Sequence, residues 1–437
     1  MDKINKLKSW RKLDNSAKIF PLSESNKYST VFRYSVVLKE NIDKDTLTKA
    51  VEKALIRYNA FKVKLKKGFF WFYFEENNKR PIIKEELYYP CKRIYPEYNN
   101  DYLFSVTYFE RKINIEIFHS LTDGSGGIIF FKEIIYNYLE IKHKELLDLE
   151  ERKARKVFYD TEDSYLMNFD KKSKKNGHNK KAYILKGKEL KFNQVSVNHL
   201  LIESEGLKAE CGKYNLSTTQ YLTCVLIWSL YNANILKYDK KSKNKKPIKV
   251  CIPVNLKKYF KSKTLSNFFS YISIDILMNK SISFEDIAKF VKNEFERKLT
   301  EEEILKTMSD NVKVGKNILI SFIPLPLKKI IIRSIYGQIQ KHLSITYSNT
   351  GKVGIIGKFQ EYIDYFMVLI APEHIEKIKC SSCTYLNRII FTFTSILNDN
   401  SIEKFFLNYL KLQNINVQVE SNEILDSIEK GDNNDIS

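Results

Sequence analysis

The stretch "KINIEIFHSLTDGSGGIIFFKEIIYNYL", residues 112–139, decides how the rest of the chain is interpreted. Its first six residues alternate between polar and apolar side chains, which predicts a strand. After the Asp-Gly pair the residues become apolar with helical spacing, and we expect a helix over 126–146. His119 and Asp123 then lie in the turn between a strand and a helix. His119 is therefore either a catalytic side chain or a histidine that only ends a strand.

The residue types in this turn suit acid–base chemistry. Histidine titrates near neutral pH, so His119 at a strand end can face a cleft and act as a general base. Asp123 accepts a hydrogen bond from the imidazole or, in the interpretation we favour, anchors the turn through an arginine. Gly124 permits an unusual backbone angle and leaves room for a substrate. Ser125 is the expected cap of the helix.

The composition is that of a globular protein with ample length for a core. The 437 residues are 43% hydrophobic and 29% charged, and no apolar run approaches the length of a membrane span. The first twenty residues have scattered charges and lack the apolar core of a secretory signal. A cytoplasmic location is the resulting prediction.

The net charge of +21, from 73 Lys and Arg against 52 Asp and Glu, raises the possibility of a polyanionic partner. Nucleic acid, a membrane surface or a phosphate-rich cofactor would each fit such a charge. Much of the charge lies in two lysine-rich runs, 171–181 and 237–247, that resemble solvated loops. Nucleic-acid binding is therefore not expected.

The six cysteines do not make a disulfide framework in a chain of this length. Cys380 and Cys383 form a lone CxxC, with His374 nearby in sequence. A structural zinc site needs four ligands, and no second CxxC exists. Two reduced cysteines are favoured over a metal or redox site.

Strands and helices alternate in an order that predicts an α+β fold with two lobes. The N-terminal lobe is assigned to 1–190 and the C-terminal lobe to 191–417, with an acidic, polar tail over 418–437. Ser217 and Gln220 have the spacing of a capping box before an apolar helix.

Two apolar stretches have alternative interpretations. Residues 317–336 are apolar with Lys328, Lys329 and Arg333 interleaved, and their prolines preclude a continuous span. They form either a surface for a membrane or an apolar substrate, or a core-packing helix pair, which is favoured. The stretch "FFWFYF", 69–74, is expected to be an alternating strand rather than a ligand platform.

The pattern HxxxDG between a strand and a helix resembles the signature of the CoA-dependent acyltransferase superfamily, which includes chloramphenicol acetyltransferase, wax ester synthases and condensation domains. Three further stretches resemble motifs of its bacterial alcohol acetyltransferase-like branch, in the same order: "WRKLDNSAKIFP" (10–21), "IPVNLKKYFKSKTLSNFFSYI" (252–272) and "TYSNTGKVGI" (346–355). Condensation domains carry two consecutive histidines, whereas Phe118 occupies the first position here. This difference argues mainly against peptide synthesis.

The resemblance implies two chloramphenicol acetyltransferase-like lobes with a tunnel between them and His119 midway along it. His119 would remove the proton from an alcohol or amine, which attacks the thioester of acyl-CoA, an acetyl group in the simplest case, without an acyl-enzyme. Ser348 and Asn349 are the candidate oxyanion donors, with Thr346 a weaker one. Asp123 would be structural, and Arg388 and Arg33 are its candidate partners.

The second-lobe motif supplies the remaining candidates. Asn255 and Asn267 are expected to fix the backbone beside the tunnel. Lys257, Lys258 and Lys263 are candidates for the phosphates of CoA, which is a co-substrate rather than a bound cofactor; no metal is expected. The relatives build their site within one subunit, so a monomer is the simplest prediction.

Two other functions fit the same resemblance. One is a stand-alone condensation-like enzyme that takes its acyl group from a carrier protein. The other is a catalytically inactive binding protein that has kept the fold. Turnover of free CoA thioesters would distinguish the first from a CoA-dependent enzyme.

Overall fold

The computed structural model describes residues 10–25, 29–146, 160–171, 180–238, 246–279, 281–316 and 322–422. The described strands are β1 (Trp10–Lys12), β2 (Val31–Leu38), β3 (Val63–Lys67), β4 (Phe72–Glu76), β5 (Ile83–Glu85), β6 (Phe104–Phe109), β7 (Lys112–Phe118), β8 (Ser196–Glu203), β9 (Ile248–Asn255), β10 (Phe269–Ile276), β11 (Ile345–Lys352), β12 (Ile363–Ile370), β13 (Ile378–Tyr385), β14 (Arg388–Ser395) and β15 (Val417–Ser421). The described α-helices of four or more residues are α1 (Phe20–Ser23), α2 (Lys44–Arg57), α3 (Gly124–Lys142), α4 (Ser164–Asn168), α5 (Ser204–Lys213), α6 (Thr218–Leu230), α7 (Phe284–Lys298), α8 (Glu301–Gly315), α9 (Leu325–Gln340) and α10 (Ser401–Leu412).

The N-terminal lobe is built on a five-stranded sheet in the order β12-β2-β7-β6-β5. Helices α2 and α3 pack against each other beside this sheet. All eight residues of β2 are buried, which is typical of an inner strand covered on both faces. A small antiparallel sheet, β1-β4-β3, lies beside it.

The C-terminal lobe is built on a seven-stranded sheet in the order β10-β9-β11-β13-β14-β8-β15. Strand β11 runs parallel to both β9 and β13, whereas the other neighbours in this sheet are antiparallel. A second apolar core, separate from that of the first lobe, fills the space between this sheet and helices α6, α7 and α10. The prediction of an α+β fold with mixed sheets in two lobes is confirmed.

Strand β12 crosses between the lobes. It lies within the predicted C-terminal span, yet it pairs antiparallel with β2 over Ile363–Ile370 and so completes the N-terminal sheet. The N-terminal sheet therefore depends on a strand from the second half of the chain, whereas the C-terminal sheet is built from its own span.

The expected tail begins later than predicted. Residues Val417–Ser421 form β15, which pairs antiparallel with β8, and Tyr365 donates a hydrogen bond to Glu420 at 2.7 Å. Only Val417 of this short strand is buried, so the segment lacks the apolar face that marks most strands. The remainder of the predicted tail, 423–437, lies outside the described residues, as do most of the lysine-rich runs 171–181 and 237–247.

Local signals predicted several helix ends. Ser217 and Gln220 form the capping box at the start of α6. The helix after the HxxxDG stretch begins at Gly124, two residues before the predicted start, because Asp123 rather than Ser125 is its cap.

The core-packing helix pair predicted for 317–336 is wrong. The described part of that stretch forms one helix, α9, whose apolar side chains are mostly exposed. In the part of the chain with described coordinates, no helix has the length and apolarity needed to cross a membrane.

Candidate active site

His119 lies directly after β7, at the seam between the lobes. Its backbone N–H donates to the carbonyl of Thr30 at 3.0 Å, which continues the β2–β7 pairing by one residue. Its half-buried imidazole stacks on the ring of Phe20, with centroids 4.6 Å apart and planes 25° from parallel. Phe32 and Phe269 contact it from other sides, at 5.1 and 5.3 Å between centroids. Aromatic rings from both lobes thus fix the plane of the imidazole.

The Nδ1 atom of His119 is held by the second lobe. It lies 3.0 Å from Oδ1 of Asn267. The other end of that amide, Nδ2, donates to Oδ2 of Asp14 at 3.1 Å, and the backbone N–H of Asn267 donates to the same oxygen at 3.2 Å. Because the side-chain N–H of Asn267 donates to Asp14, the carbonyl oxygen of the same amide faces the imidazole. This arrangement selects the tautomer in which Nδ1 carries the proton and Nε2 presents a lone pair.

Burial controls the charge states along this chain of contacts. Desolvation lowers the pKa of His119 below its ordinary value, although Asp123 and the hydrogen bond to Asn267 act in the opposite direction. Burial also raises the pKa of Asp14 to about 6, against the hydrogen bonds that it accepts from Ala17 and Asn267. At neutral pH the imidazole is therefore uncharged and Asp14 is ionised.

Asp123 has a structural role that joins the lobes. Its Oδ1 accepts hydrogen bonds from the backbone N–H of Gly126 at 3.0 Å and from the hydroxyl of Ser125 at 2.6 Å, so it caps α3. Its Oδ2 accepts the backbone N–H of Phe268, in the other lobe, at 2.8 Å. Asp123 is 4% exposed, and these three donors compensate for the burial of its carboxylate.

The cation beside Asp123 is a lysine. Nζ of Lys257 lies 3.9 Å from Oδ1 of Asp123 and donates to the hydroxyl of Ser125 at 2.7 Å. The predicted arginine partners are wrong: Arg33 is buried between Glu86 and Glu116, and Arg388 pairs with Asp364. A lysine two residues past a strand end can reach the turn because the two lobes meet there.

Glycines are required at this seam by close approach. A Cβ on Gly124 would lie 2.9 Å from the phenol oxygen of Tyr34, which donates to the carbonyl of Gly124 at 2.9 Å. A Cβ on Gly126 would lie 2.6 Å from the carbonyl oxygen of Leu265. The unusual backbone angle expected at Gly124 does not occur, because this residue begins α3 with ordinary helical geometry.

Strand β11 carries the predicted oxyanion donors. Ser348 is half-buried and lies opposite Ser381 of β13. The amide of Asn349 donates to the hydroxyl of Thr219 at 2.8 Å, and its oxygen accepts from the backbone of Gly351. Thr346 hydrogen-bonds with Cys251 and Glu376 instead.

The end of β11 approaches the HxxxDG turn through one intermediate. Thr350 hydrogen-bonds with Tyr34, and Tyr34 donates to Gly124. In contrast, the second-lobe residues in direct contact with His119 come from 267–269, at the start of β10. The oxyanion assignments for Ser348 and Asn349 stay predictions.

The lysines predicted to meet CoA differ in their surroundings. Lys258 and Lys263 are exposed, whereas Lys257 is directed at Ser125. Asn255 accepts the backbone N–H of Lys257 at 3.0 Å and fixes the end of β9, as expected. Asn267 differs from its prediction, because its side chain contacts the candidate base.

Asp14 and Phe20 are among the site residues that the sequence alone does not identify. Both lie in the stretch 10–21, where the motif resemblance implies a role for neither residue. Asp14 lies between Leu13 and Asn15, in surroundings that carry no distinctive local signal. Its partner lies more than 250 residues away, so only the fold could identify it.

The CxxC cysteines lie within the C-terminal sheet. Cys380 and Cys383 are both buried on β13, and Cys383 contacts the carbonyl oxygen of Phe366 at 3.2 Å. Burial raises the pKa of the Cys383 thiol to about 12. Among the residues with described positions, no three His, Cys, Asp or Glu side chains are grouped as a metal site would require.

Comparisons with known proteins identify the fold. No sequence-family model matches the chain, and no curated protein matches its sequence. Solved structures do match over nearly the whole length. TRI101 of F. sporotrichioides, complexed with coenzyme A and T-2, superposes with a TM-score of 0.62 at 12% identity, covering 94% of this chain and 99% of that one. The chain has the fold of the acyltransferases and condensation domains.

Other structures with this acyltransferase fold support the same assignment. The first condensation domain of the CDA synthetase covers 94% of this chain and 96% of its own, with a TM-score of 0.58 and 9% identity. The wax ester synthase/diacylglycerol acyltransferase of Marinobacter aquaeolei VT8 covers 92% and 99%, with a TM-score of 0.53 and 10% identity. At these identities the likeness concerns the fold, and the activity has to be argued from the site.

Proposed function

We propose that this protein is an acyltransferase that moves an acyl group, acetyl in the simplest case, from coenzyme A to an alcohol or an amine. The observation that carries the proposal is the contact chain from Asp14 through Asn267 to His119, at the lobe seam of an acyltransferase fold. It supports His119 as a neutral base with its Nε2 lone pair available to a substrate.

The base acts through the tautomer that the second lobe selects. Asn267 accepts the proton of Nδ1, so the acceptor's O–H or N–H is presented to Nε2 of His119. Partial burial keeps the imidazole neutral at physiological pH, because the pKa of His119 is lowered. The stack with Phe20 holds the ring in one plane while the proton moves.

The transfer itself is a direct displacement. As Nε2 of His119 takes the acceptor's proton, the acceptor oxygen or nitrogen forms a bond to the thioester carbonyl carbon. The tetrahedral intermediate collapses, its C–S bond breaks, and the thiolate of CoA takes the proton back from the imidazolium. Ser348 and Asn349 are the proposed donors to the oxyanion. Asp123 holds the turn and takes no proton.

Exposed lysines and one structural neighbour support coenzyme A as the acyl donor. TRI101 is described as complexed with coenzyme A, and exposed Lys258 and Lys263 near the end of β9 are suited to its phosphates. Lys257 binds Ser125 instead, so we assign it to the support of Asp123.

Thiol release from acetyl-CoA tests the proposal. The wild-type protein is assayed against a panel of alcohols and amines, beside His119→Ala and a control histidine variant, His374→Ala. His374 is about half exposed and pairs with Glu189. We expect acceptor-dependent thiol release that falls by ~10²–10⁴-fold in His119→Ala and is unchanged in His374→Ala. Wild-type turnover in His119→Ala would contradict the mechanism.

A carrier-protein donor is the second candidate, because condensation domains share the fold and the net charge of +21 suits an acidic carrier. Transfer from an acylated carrier protein but not from free acyl-CoA would favour it. Absence of transfer from both donors would favour a catalytically inactive binding protein.

A further inference from the structure

Helix α9 has its apolar side facing outward. A surface helix normally buries its apolar face and exposes its polar one. Here the buried residues include Lys328 and Gln340, whereas Ile330 and Ile339 are 67% and 53% exposed. Exposed side chains recur every three or four residues, so they form one continuous stripe along the helix.

Aromatic side chains extend this stripe at its N-terminal end. Phe69 and Phe70 lie at the tip of the β3–β4 hairpin and Phe322 precedes α9; all three are exposed. Their rings contact each other, with centroids 4.7 Å apart for Phe69–Phe70 and 6.3 Å apart for Phe70–Phe322. We call this exposed surface the apolar platform; its members are Phe69, Phe70, Phe322, Leu327, Ile330, Ile331, Ile335 and Ile339.

Specific contacts hold α9 in this orientation. Nζ of Lys328 donates to the carbonyl of Phe70 at 2.8 Å and lies 3.5 Å from the ring centre of Trp71. The backbone N–H of Leu325 donates to the carbonyl of Phe69 at 3.0 Å. Arg333 donates to the carbonyl of Glu24. Rotating the helix to bury its isoleucines would break the contacts of Lys328 and Arg333, so the apolar side is held outward.

The surroundings of the apolar platform are basic. The sequence contains no acidic residue between Asp310 and Glu361. Lys66 and Lys67 are exposed on the hairpin that carries the aromatic tip. Burial lowers the pKa of Lys329, and nearby Arg333, Arg93 and Lys67 lower it further. Glu24 is an acidic group in this cluster, and Arg93 pairs with it.

We propose that the apolar platform docks on the surface of a bilayer that contains anionic lipids. Exposed phenylalanine, leucine and isoleucine beside lysine and arginine suit the boundary between acyl chains and anionic head groups. The lysine stems can lie along the apolar surface while their ammonium groups reach the phosphates. A protein partner with an acidic rim would need carboxylates at matched positions, whereas a lipid surface supplies its charge anywhere along the platform.

The apolar platform lies close to the candidate active site, and this part of the inference rests on the proposed function. Helix α9 packs against α1, and Phe20 of α1 stacks on His119. A protein docked through α9 would hold its candidate base one helix away from the lipid. The geometry therefore points to a lipid-soluble acceptor, an alcohol or amine with a long apolar chain.

Vesicle flotation tests the docking without requiring turnover. Binding is measured with vesicles of phosphatidylcholine alone and with about a quarter phosphatidylglycerol, at ~50 and ~500 mM salt. The test variant is Ile330→Asp with Ile335→Asp. The control variant, Ile56→Asp with Leu412→Asp, makes the same charge change at exposed apolar positions on α2 and α10. Circular dichroism verifies that both variants are folded.

We expect the wild-type protein to bind the anionic vesicles more tightly than the neutral ones, and more weakly at high salt. The platform variant should lose at least ~tenfold in affinity, and the control variant should bind as the wild type does. Absence of wild-type binding, or equal binding by the platform variant, would overturn the docking proposal. If the wild-type protein does not bind vesicles and is a dimer, and the platform variant is a monomer, the docking proposal is overturned. The apolar platform would then be an interface between copies of this chain.

Separate measurements of vesicle binding and acyl transfer distinguish the docking surface from the proposed function. His119→Ala should bind vesicles as the wild type does. The platform variant should keep transfer to a short water-soluble alcohol and lose transfer to a long-chain alcohol held in anionic vesicles. Platform-dependent binding with no transfer to any acceptor would retain the docking surface and overturn the proposed function. Equal transfer by the wild type and the platform variant to the vesicle-held alcohol would overturn the assigned acceptor class.

Discussion

Asn267 determines which nitrogen of His119 is available to a substrate. Its amide is oriented at one end by Asp14 and contacts Nδ1 at the other. Asn267→Ala should lower kcat by roughly 5- to 30-fold, because a positioning hydrogen bond of about 1–2 kcal/mol is lost, while KM for the acyl donor changes little. Asn255→Ala is the matched control, since Asn255 caps a turn in the same motif without contacting His119. Equal effects in both variants would assign Asn267 a merely structural role.

The acid limb of the pH profile reports the protonation of His119. Only the neutral imidazole accepts a proton, so kcat/KM should fall as pH decreases through the pKa of His119. Since burial lowers that pKa, we expect the midpoint below about 6.5. Asp123 opposes this shift, so Asp123→Asn should move the midpoint further down. A midpoint above about 6.5 in the wild type would show that another group limits the reaction.

Helix α3 and the start of β10 are held together by Asp123. Asp123→Ala leaves the N–H groups of Gly126 and Phe268 without their acceptor, and we expect unfolding free energy to fall by about 2–4 kcal/mol from the lost cap and a buried unsatisfied donor. Ser125→Ala should cost less, because the cap itself remains. Chemical denaturation measures both, and equal losses would show that the link to Phe268 adds little.

Elements whose sequence pattern supports one interpretation were predictable. Helix α9, whose pattern combines apolar periodicity with interleaved basic residues, was not. The strand β7 and the capping box of α6 follow from alternation and from one serine–glutamine pair. Helix α9 has strong apolar periodicity, which normally indicates core packing. Its orientation is instead fixed by Lys328 and Arg333, so the side of the helix that faces the protein is opposite to the one that its apolar periodicity indicates.

The candidate site shows the same division. The HxxxDG turn, with His119, Asp123 and Gly124, is local and was predictable from one stretch. The contacts of Asn267 and Asp14 join residues about 250 positions apart, and the lysine that neighbours Asp123 comes from the other lobe. A single sequence does not reveal such pairings, so Arg33 and Arg388 were reasonable but incorrect candidates.

At the scale of the molecule, strand β12 and the contacts across the seam link the two lobes. Because the N-terminal sheet contains a strand from the C-terminal span, and Asn267 and Phe268 bond across the seam, we expect one cooperative unfolding transition. Tryptophan fluorescence tests this with variants that retain only Trp71 or only Trp228, one probe in each lobe. Two separated midpoints would show that the lobes unfold independently.

The late position of β12 in the chain also delays completion of the N-terminal sheet during synthesis. Until it is made, β2 is the outer strand of its sheet, with apolar side chains and unpaired backbone groups along its edge. About 250 residues separate β7 from β12, so at roughly 5–20 residues per second the ribosome needs about 12 to 50 s to supply the missing strand. During that interval the unpaired edge of β2 in the nascent chain can pair with another strand. Newly made copies on neighbouring ribosomes can therefore associate through this edge. The yield of native protein should therefore depend on the rate of translation through the second lobe and on chaperones that cover β2 in the meantime.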